Sequence, residues 1–292
     1  MTPSLTPIRG DELGAALGAF SEAVTTVDGV APFNEETLLR PEARTGFVID
    51  GEDAPLALAL GHHLDDRSFE AELAVEPDAR RAGLGRALVE RLVEITGEQP
   101  LSVWAHGDLP GARALADRLG FTAVRTLYVL EKPLDGELPA PQPAAGTRIR
   151  AFDPATDADA WVALNARAFA DHPEQGRLQR ADLDARMQQS WFRANDFLVL
   201  VDEHERLIGY NWCKVIESDA GIDEAEIYVI GIDPDAARAG HGTALMRAGM
   251  QHLRARGADS VVLYVDGGNE RAVSLYRRLG FVNRAVDVQY RN

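Results

Sequence analysis

Residues 226–246, EIYVIGIDPDAARAGHGTALM, have the pattern of a strand that leads through a glycine loop into a helix. β-Branched and aromatic residues favour the strand, and Pro234 ends it because proline lacks the N–H group that a ladder needs. Gly240 and Gly242 allow the backbone to approach a ligand closely, since no Cβ stands in the way. The helix start beyond them presents unpaired N–H groups, so the stretch predicts an anion site that needs no basic side chain.

The first half of the chain contains a second version of this pattern. Residues 72–90, ELAVEPDARRAGLGRALVE, again place glycines between a strand and a helix. A Leu-Gly-Phe sequence follows each loop, with Gly120 37 positions after Gly83 and Gly280 40 positions after Gly240. Either loop alone is compatible with a simple strand-to-helix turn, but its recurrence favours a ligand site. The kept order and spacing indicate two copies of one α/β domain.

The length of 292 residues fits two domains, and a change of composition marks the division between them. Residues 132–147, KPLDGELPAPQPAAGT, hold four prolines and no apolar period, which predicts an extended linker. We therefore expect an N-terminal domain at 1–135, a linker at 136–147 and a C-terminal domain at 148–292. Apolar residues at helical spacing also predict an amphipathic helix at 244–256.

The charge balance limits the partners of the chain. Thirty Lys and Arg against 46 Asp and Glu give a net charge of −16, which argues against nucleic acid and anionic membranes as partners. The single cysteine, Cys213, excludes an internal disulfide and a multi-cysteine zinc site, and the histidines lack metal-ligand spacing. Because the N-terminus also lacks a signal-peptide pattern, we expect a cytoplasmic monomer without a bound metal.

The two loops resemble the signature of the GNAT family of acetyl-CoA-dependent N-acetyltransferases, which is Gln or Arg, two residues, Gly, one residue, then Gly or Ala. The first copy fits it from Arg80 to Gly85, whereas the second has Ala237 in the leading position and Arg238 one place later. The resemblance implies two tandem α/β domains, each a mixed, splayed β-sheet flanked by helices. Because the second copy has alanine in the leading position, the resemblance does not decide whether a side chain there contacts the pyrophosphate.

The same resemblance assigns contacts with acetyl-CoA to strand ends, glycine loops and one helix start, with one molecule expected in each domain. The pantetheine arm would lie in the splay and pair with strand backbone. In the first copy the expected contacts are Leu73, Ala74, Val75, Arg81, Ala82, Gly83, Leu84, Gly85 and Arg86. In the second copy they are Ile230, Gly231, Ile232, Ala237, Arg238, Ala239, Gly240, His241, Gly242, Thr243, Asn269, Glu270, Arg271, Ala272, Val273 and Ser274.

Several further phrases resemble a tandem branch of the family, whose members acetylate the cysteine amine of cysteinyl-glucosaminyl-inositol. These phrases lie outside the acetyl-CoA signature, so they indicate a branch rather than the family as a whole. The resemblance therefore implies this amine as the acceptor substrate. The phrases are VDGVAP at 27–32, WAHG at 104–107, HPEQG at 172–176, WF at 191–192, WCKV at 212–215 and LYV at 263–265.

Acetyl transfer needs a base for the amine and an acid for the leaving thiolate. In this family the acid is a tyrosine in the helix before the Leu-Gly-Phe, which corresponds to Tyr276. Alignment of the first copy on its own Leu-Gly-Phe places Ala116 there, so we expect only the second domain to be catalytic. Glu226 opens the strand that ends at the cofactor loop and is the expected base, with Glu224 as a weaker candidate.

The resemblance also implies residues that bind the acceptor substrate. Lys214 stands in an otherwise apolar strand, where a buried cation needs a partner or a cavity. Glu35 would reach the substrate from the first domain, although the adjacent Glu36 fits the family pattern equally well. The full expected set is Glu35, Glu174, Lys214, Glu226 and Tyr264, of which Tyr264 is also compatible with a simple cross-strand aromatic.

Two other functions remain open from the residues alone. The chain could acetylate another small-molecule amine or a protein N-terminus, or it could be a non-catalytic module that binds acetyl-CoA. Cys213 matches no nucleophile position of the family, so we expect it to pack in the core and expect direct transfer in a ternary complex.

Overall fold

The computed structural model describes residues 3–65, 67–170, 175–237 and 240–292. Its helices are α1 (Ala15–Asp28), α2 (Glu35–Leu39), α3 (Leu84–Thr96), α4 (Pro110–Leu119), α5 (Ala158–Ala168), α6 (Arg180–Met187), α7 (His241–Arg256) and α8 (Glu270–Arg278). Its strands are β1 (Thr6–Arg9), β2 (Thr45–Asp50), β3 (Pro55–Asp65), β4 (Ser68–Val75), β5 (Leu101–Ala105), β6 (Thr122–Pro133), β7 (Arg148–Ala151), β8 (Phe197–Val201), β9 (Leu207–Ser218), β10 (Gly221–Ile232), β11 (Ser260–Asp266) and β12 (Val282–Arg291). The α/β class expected from the sequence is confirmed.

The chain divides into two compact units, whose limits differ from the ranges expected above. Unit 1 comprises Met1–Tyr128, Asp266–Gly268 and Ala285–Asn292, and unit 2 comprises Val129–Val265 and Asn269–Arg284. The C-terminal residues belong to unit 1 because β12 pairs antiparallel with β5 from Val288 opposite Ala105 onwards. Such a long-range pairing leaves no trace in local composition, which explains why a division at a proline-rich segment misses it.

The proline-rich segment at 136–147 forms no helix or strand, and it packs on unit 2. Leu138 is buried, and Gln251 of α7 donates a hydrogen bond to its carbonyl at 3.2 Å. Arg254, one turn further along α7, donates to the carbonyl of Gly136 at 3.1 Å. The segment is therefore anchored to unit 2 rather than free in solvent.

The sheet of unit 1 buries apolar side chains on both faces. Along β2, Phe47 and Ile49 join one core cluster with α3, whereas Val48 joins another with α1. This alternation is what a strand with a period of two produces. Its strand order is β1-β2-β3-β4-β5-β12, where β4 and β5 are parallel and β3 and β4 antiparallel.

Unit 2 repeats this order with β7, β8, β9, β10 and β11. Its core is aromatic, and Trp161 of α5 meets the ring of Trp212 edge-on at 5.8 Å between ring centroids. Trp212 stacks on Phe197 at 4.5 Å. The amphipathic helix predicted at 244–256 is confirmed as α7, which starts three residues earlier because Gly240 takes the left-handed conformation just before it. Each unit is thus a mixed sheet covered by helices, as the resemblance implied.

Candidate active site

In each unit the two central parallel strands separate towards the glycine loop. β4 pairs with β5 from Phe69 opposite Leu101 to Glu72 opposite Trp104, whereas its pairing with β3 continues to Val75. In unit 2, β10 pairs with β11 at Glu226 opposite Val262, whereas residues 230–232 pair on the β9 side. The strand ends at 73–75 and 230–232 therefore each have one backbone edge that an extended ligand can pair with.

The glycine loops leave room for a ligand at the start of α3 and α7. Gly83 and Gly240 have φ of 86° and 75°, values that favour glycine. A Cβ at Gly85 or Gly242 would meet the protein only at ordinary contact distance, 3.5 Å from a leucine methyl group in each case. The chain itself therefore does not require glycine at these two positions. The residues fit a phosphate group seated on the unpaired N–H groups of the first helical turn.

An Arg–Asp ion pair ties each loop to the first long helix of its unit. In unit 1, Arg80 makes a bidentate pair with Asp28 at the end of α1, with both N–O distances at 2.8 Å, and its Nε donates to the carbonyl of Val75. In unit 2 the donor and acceptor are exchanged, because Arg167 of α5 donates to Asp233 before the loop at 2.7 Å. In the first copy the leading arginine of the signature, Arg80, therefore stabilises the loop. The second copy has no arginine at this position, and the pair of Asp233 and Arg167 stabilises its loop instead.

The residues expected to contact acetyl-CoA form these loops and strand ends. The side chain of His241 is buried, and its Nδ1 has no hydrogen-bond partner among the described residues. Burial lowers the pKa of His241, so the ring is neutral near pH 7. Arg81 is exposed and has a φ of 66°. Arg238 and Ala239 lie outside the described residues.

Helix α8 is held against the loop of unit 2 at two points. Arg271 donates to the carbonyl of Ala237 at 2.5 Å, and Leu275 lies 3.5 Å from the position a Cβ of Gly242 would take. Asn269 caps the helix by accepting a hydrogen bond from the N–H of Ala272 at 3.1 Å, as its position suggested. Because Tyr276 follows Leu275 directly, these contacts place the expected acid on the helix that borders the loop.

Tyr276 and Cys213 differ in what burial does to their chemistry. Tyr276 is buried beside Phe281, and burial raises its pKa to about 12, which keeps the hydroxyl protonated. It is therefore available as a hydrogen-bond and proton donor. Burial also raises the pKa of the Cys213 thiol, so this cysteine lacks the thiolate that an acyl carrier needs.

Glu226 and Lys214 lie directly opposite each other in the antiparallel pair of β10 and β9. Both side chains are buried, and cross-strand partners share one face of the sheet. The ammonium of Lys214 lies 5.2 Å from the ring centroid of Trp191 and 5.5 Å from that of Tyr228, which are cation–π distances. The sheet face of unit 2 thus brings a buried carboxylate and a buried cation together within an aromatic surround.

Two of the other expected substrate residues belong to the described parts of the chain. Tyr264, on β11, is 48% exposed. Glu35 is an exposed residue at the start of α2 in unit 1. Glu174 lies outside the described residues.

Register identifies the counterparts of these residues in unit 1. Glu70 pairs with His62 on β3 and with Ser102 on β5, as Glu226 pairs with Lys214 and Val262 in unit 2. Glu70 therefore occupies the position of Glu226, but it accepts a hydrogen bond from Gln289 of β12 at 2.5 Å. Ala116 stands in the place of Tyr276. Unit 1 keeps the carboxylate in a buried, amide-bonded form and lacks the acid.

Unit 1 holds a buried cluster of two carboxylates around one imidazole. His106 places Nε2 2.7 Å from Glu72 and Nδ1 3.1 Å from Asp287. Burial opposes the charged form, but the hydrogen bonds to Asp287 and Glu72 outweigh it and raise the pKa of His106 to about 9. The imidazole is therefore protonated at pH 7 and donates to both carboxylates.

The described parts of the chain contain neither a metal-binding cluster nor a membrane-spanning helix. Within residues 3–65, 67–170, 175–237 and 240–292, no three His, Cys, Asp or Glu side chains converge as a metal ion would require. None of the helices formed by these residues combines the length and apolarity needed to cross a membrane.

Comparison with known proteins identifies the class. The family model described as Acetyltransferase (GNAT) family matches residues 16–121 and 161–281, one region in each half. The chain belongs to this family. It is 46% identical over 283 residues to the mycothiol acetyltransferase of Clavibacter sepedonicus, covering 94% of this chain and 90% of the relative. It is 48% identical over 280 residues to that of Salinispora arenicola, covering 92% and 90%. Within the family the chain thus groups with the mycothiol acetyltransferases, and it is an acetyl-CoA-dependent N-acetyltransferase.

Solved structures support the tandem fold. A tandem GNAT protein from the clavulanic acid biosynthesis pathway superposes with a TM-score of 0.75 at 18% identity, covering 99% of this chain and 98% of that one. A GCN5-related N-acetyltransferase from Sphaerobacter thermophilus gives 0.73 at 21% identity, covering 99% and 95%. At these identities the likeness concerns the fold alone.

Sequence reasoning missed the residues that support the site from a distance. The Asp28 and Arg167 tethers, the Gln289 bond to Glu70 and the His106 cluster all join residues far apart in the chain. The phrases VDGVAP and WAHG contain Asp28 and His106. The family resemblance therefore pointed to these two residues, but it did not indicate the ion pair and the carboxylate cluster that they form.

We predict that the paired variants Gly242→Val and Gly85→Val distinguish the role of the loop in unit 2 from that of the loop in unit 1. Both positions have the same leucine contact at 3.5 Å, so a similar loss of thermal stability is expected in each. A side chain at Gly242 should obstruct the cofactor in unit 2 and raise the KM for acetyl-CoA about 10-fold or more, about 1.4 kcal/mol. Gly85→Val should leave turnover unchanged and lower the number of acetyl-CoA molecules bound in equilibrium dialysis. Equal loss of kcat/KM in both variants would contradict this assignment.

We predict that His106 makes stability depend on pH. Its pKa rises from the ordinary 6.5 to about 9 in the folded chain, so its contribution is complete below pH 6.5 and is lost as the pH rises through 9. Urea unfolding should show a decrease on the order of 1–3 kcal/mol between these values. His106→Gln should be less stable than the parent at pH 6.5 and should show a flatter profile. Parallel profiles for the two proteins would refute the prediction.

Proposed function

We propose that the chain transfers the acetyl group of acetyl-CoA to the cysteine amine of cysteinyl-glucosaminyl-inositol, which is the last step of mycothiol biosynthesis. The names of relatives that are 46% and 48% identical over nearly the whole chain support the substrate class. We further propose that the chain is cytoplasmic, because a single buried cysteine suits a reducing compartment. We also propose that it is a monomer.

Unit 2 carries the chemistry in this proposal. The observation on which it rests is a difference between the two copies: Tyr276 stands where unit 1 has Ala116. Alanine has no proton to give, whereas burial keeps the hydroxyl of Tyr276 protonated. Unit 1 then holds acetyl-CoA without turning it over.

The transfer proceeds directly between two bound substrates. Glu226 takes a proton from the cysteinyl ammonium, directly or through a water molecule, and leaves a neutral amine, whose reference pKa is about 8. The nitrogen lone pair attacks the thioester carbonyl carbon, and the C–S bond breaks as the amide C–N bond forms. Tyr276, kept protonated by burial, donates its proton to the departing sulfur, so that CoA leaves as the thiol. The second proton, which the nitrogen sheds as it becomes an amide, passes to solvent, and solvent restores the tyrosine hydroxyl. Because the Cys213 thiol is buried, no acyl-enzyme step is needed or proposed.

Several groups give this site its preference for a polar, cationic acceptor. The carboxylate of Glu226 offers an acceptor to the ammonium, and Lys214, whose own ammonium lies over the rings of Trp191 and Tyr228, supplies a donor for sugar or amide oxygens. We propose Glu35, Glu174 and Tyr264 as further substrate contacts, on the strength of the family resemblance. The strand edges at 73–75 and 230–232 and both glycine loops are the proposed acetyl-CoA sites.

The direct test is to mix the chain with acetyl-CoA and cysteinyl-glucosaminyl-inositol and to follow CoA release. Release that saturates with the amine supports the proposal. Release with an aminoglycoside or a peptide N-terminus, and none with this amine, would select another GNAT acceptor. Binding of acetyl-CoA without release by any of these amines would favour a binding module.

We predict that Tyr276→Phe lowers kcat about 100-fold while the KM for acetyl-CoA changes less than about two-fold, because one proton donor is lost. Tyr290→Phe is a matched control. Tyr290 also has a pKa raised to about 12, but its hydroxyl donates to Asp108 in unit 1. This control should keep kcat within about two-fold. Unchanged kcat in Tyr276→Phe would remove its role as acid.

A further inference from the structure

Asn211, on β9 of unit 2, joins the sheet to helix α7 by a buried hydrogen bond. Its side chain is fully buried, and its Nδ2 donates to the carbonyl oxygen of Leu245 at 2.9 Å. The thiol of Cys213, two residues further along the strand, donates to the Oδ1 of Asn211 at 3.8 Å. Both ends of the amide are therefore occupied, which gives the side chain one orientation.

Gly249 allows the amide to come this close to the helix. A Cβ at this position would lie 2.3 Å from Nδ2 and 3.1 Å from Cγ of Asn211, so a side chain there would displace the amide. Glycine is less favourable than alanine inside a helix, and Gly249 lies in the middle of α7. The space that glycine leaves at this point of the helix is filled by the amide of Asn211.

Asn211 connects the two parts of the proposed acetyl-CoA site in unit 2. Within the sheet it pairs with Ile230, the first residue of the strand edge at 230–232. On α7 it binds Leu245, four residues after His241, with which the helix begins. That separation corresponds to about 6 Å along the helix axis. The hydrogen bond therefore fixes the strand edge and the helix start relative to each other.

Unit 1 has an apolar contact at the equivalent place. Ala59 is the counterpart of Asn211, because each pairs with the first residue of the proposed cofactor edge of its unit. Counted from the glycine loops, Leu92 of α3 is the counterpart of Gly249. Ala59 and Leu92 are fully buried in one apolar cluster, where the attraction is non-directional. The copy proposed to be non-catalytic thus has packing where the other copy has a directed bond.

We propose that Asn211 is a positioning residue, whose bond to α7 sets the helix start against the strand edge so that acetyl-CoA is held in one position relative to Glu226 and Tyr276. This inference rests on the proposal that unit 2 carries the chemistry, and it concerns residues of that unit alone. A displacement of about 1 Å can lower a rate about 100-fold, so transfer is more sensitive to position than binding is. A hydrogen bond restricts the distance and angle between its atoms, whereas an apolar contact does not.

The test separates the hydrogen bond from the packing. Asn211→Ala removes both, whereas Asn211→Ala combined with Gly249→Ala refills the space, because the added Cβ takes the place of the amide. The unfolding temperature should fall in the single variant and return towards the parent value in the double variant. In both, kcat should fall about 10-fold while the KM values for acetyl-CoA and the amine stay within about two-fold. Amide exchange at residues 241–247 of the unliganded chain should quicken in both.

Leu92→Ala in unit 1 is the matched control, because it removes packing from the equivalent contact between helix and sheet. It should lower the unfolding temperature and leave kcat, both KM values and exchange at 241–247 unchanged. A double variant with the kcat of the parent would overturn the positioning role, because packing alone would then suffice. An equal loss of kcat in Leu92→Ala would also overturn it, since the effect would not be specific to unit 2. Release of CoA with a different amine only would refute the proposed acceptor and leave this comparison valid, because kcat is then measured with that amine.

Discussion

The parallel pairing of two neighbouring strands stops part of the way along them, and the rest of the site depends on this. Beyond Glu72 in unit 1 and Glu226 in unit 2, the central strands keep only their outer antiparallel partners. A backbone edge buried without partners would be costly, so the gap is stable only where a ligand or solvent pairs with it. The glycine loop at the end of the gap offers helix N–H groups to the phosphates of the same ligand. One interruption in a sheet thus leaves, in each unit, a strand edge and a helix start side by side, which is the frame on which the proposed acetyl-CoA sites are built.

The two copies share this arrangement of strands but differ in the residues around the carboxylate of the central strand. Each copy has a carboxylate on its central strand, Glu70 on β4 or Glu226 on β10, but of these two only Glu226 lies opposite a buried lysine. The C-terminal strand supplies Gln289 to Glu70, and it also supplies Asp287 to His106. In unit 1 the carboxylate of Glu70 is in this way part of an internal polar network. Unit 1 also has Ala116 in the place of Tyr276, so the two copies differ at more than one position.

Local signals made the fold and the centre of the site predictable. Proline, glycine and a run of β-branched residues identify a strand, a loop and a helix within twenty positions, and the Leu-Gly-Phe spacing separates Tyr276 from Ala116. Bonds across long sequence separations were not predictable, because no local pattern encodes them. Gln289 and Glu70 are 219 positions apart, and His106 and Asp287 are 181 apart. For the same reason the assignment of the C-terminal residues 285–292 to unit 1 could not be read from composition, since strand pairing decides it.

The loop carries the arginine of the Arg–Asp ion pair in unit 1 and the aspartate in unit 2. Replacing one loop by the other would therefore have different effects in the two units. Both loops carry a carboxylate before the proline, Glu76 or Asp233, so a first-copy loop set into unit 2 would still offer an acceptor to Arg167. A second-copy loop set into unit 1 would place Ala237 where Arg80 stands and leave the largely buried Asp28 without its bidentate partner. An exchange of loops would therefore keep an Arg–Asp or Arg–Glu partner in one direction and remove it in the other, so the two repeats are not equivalent as donors of this loop.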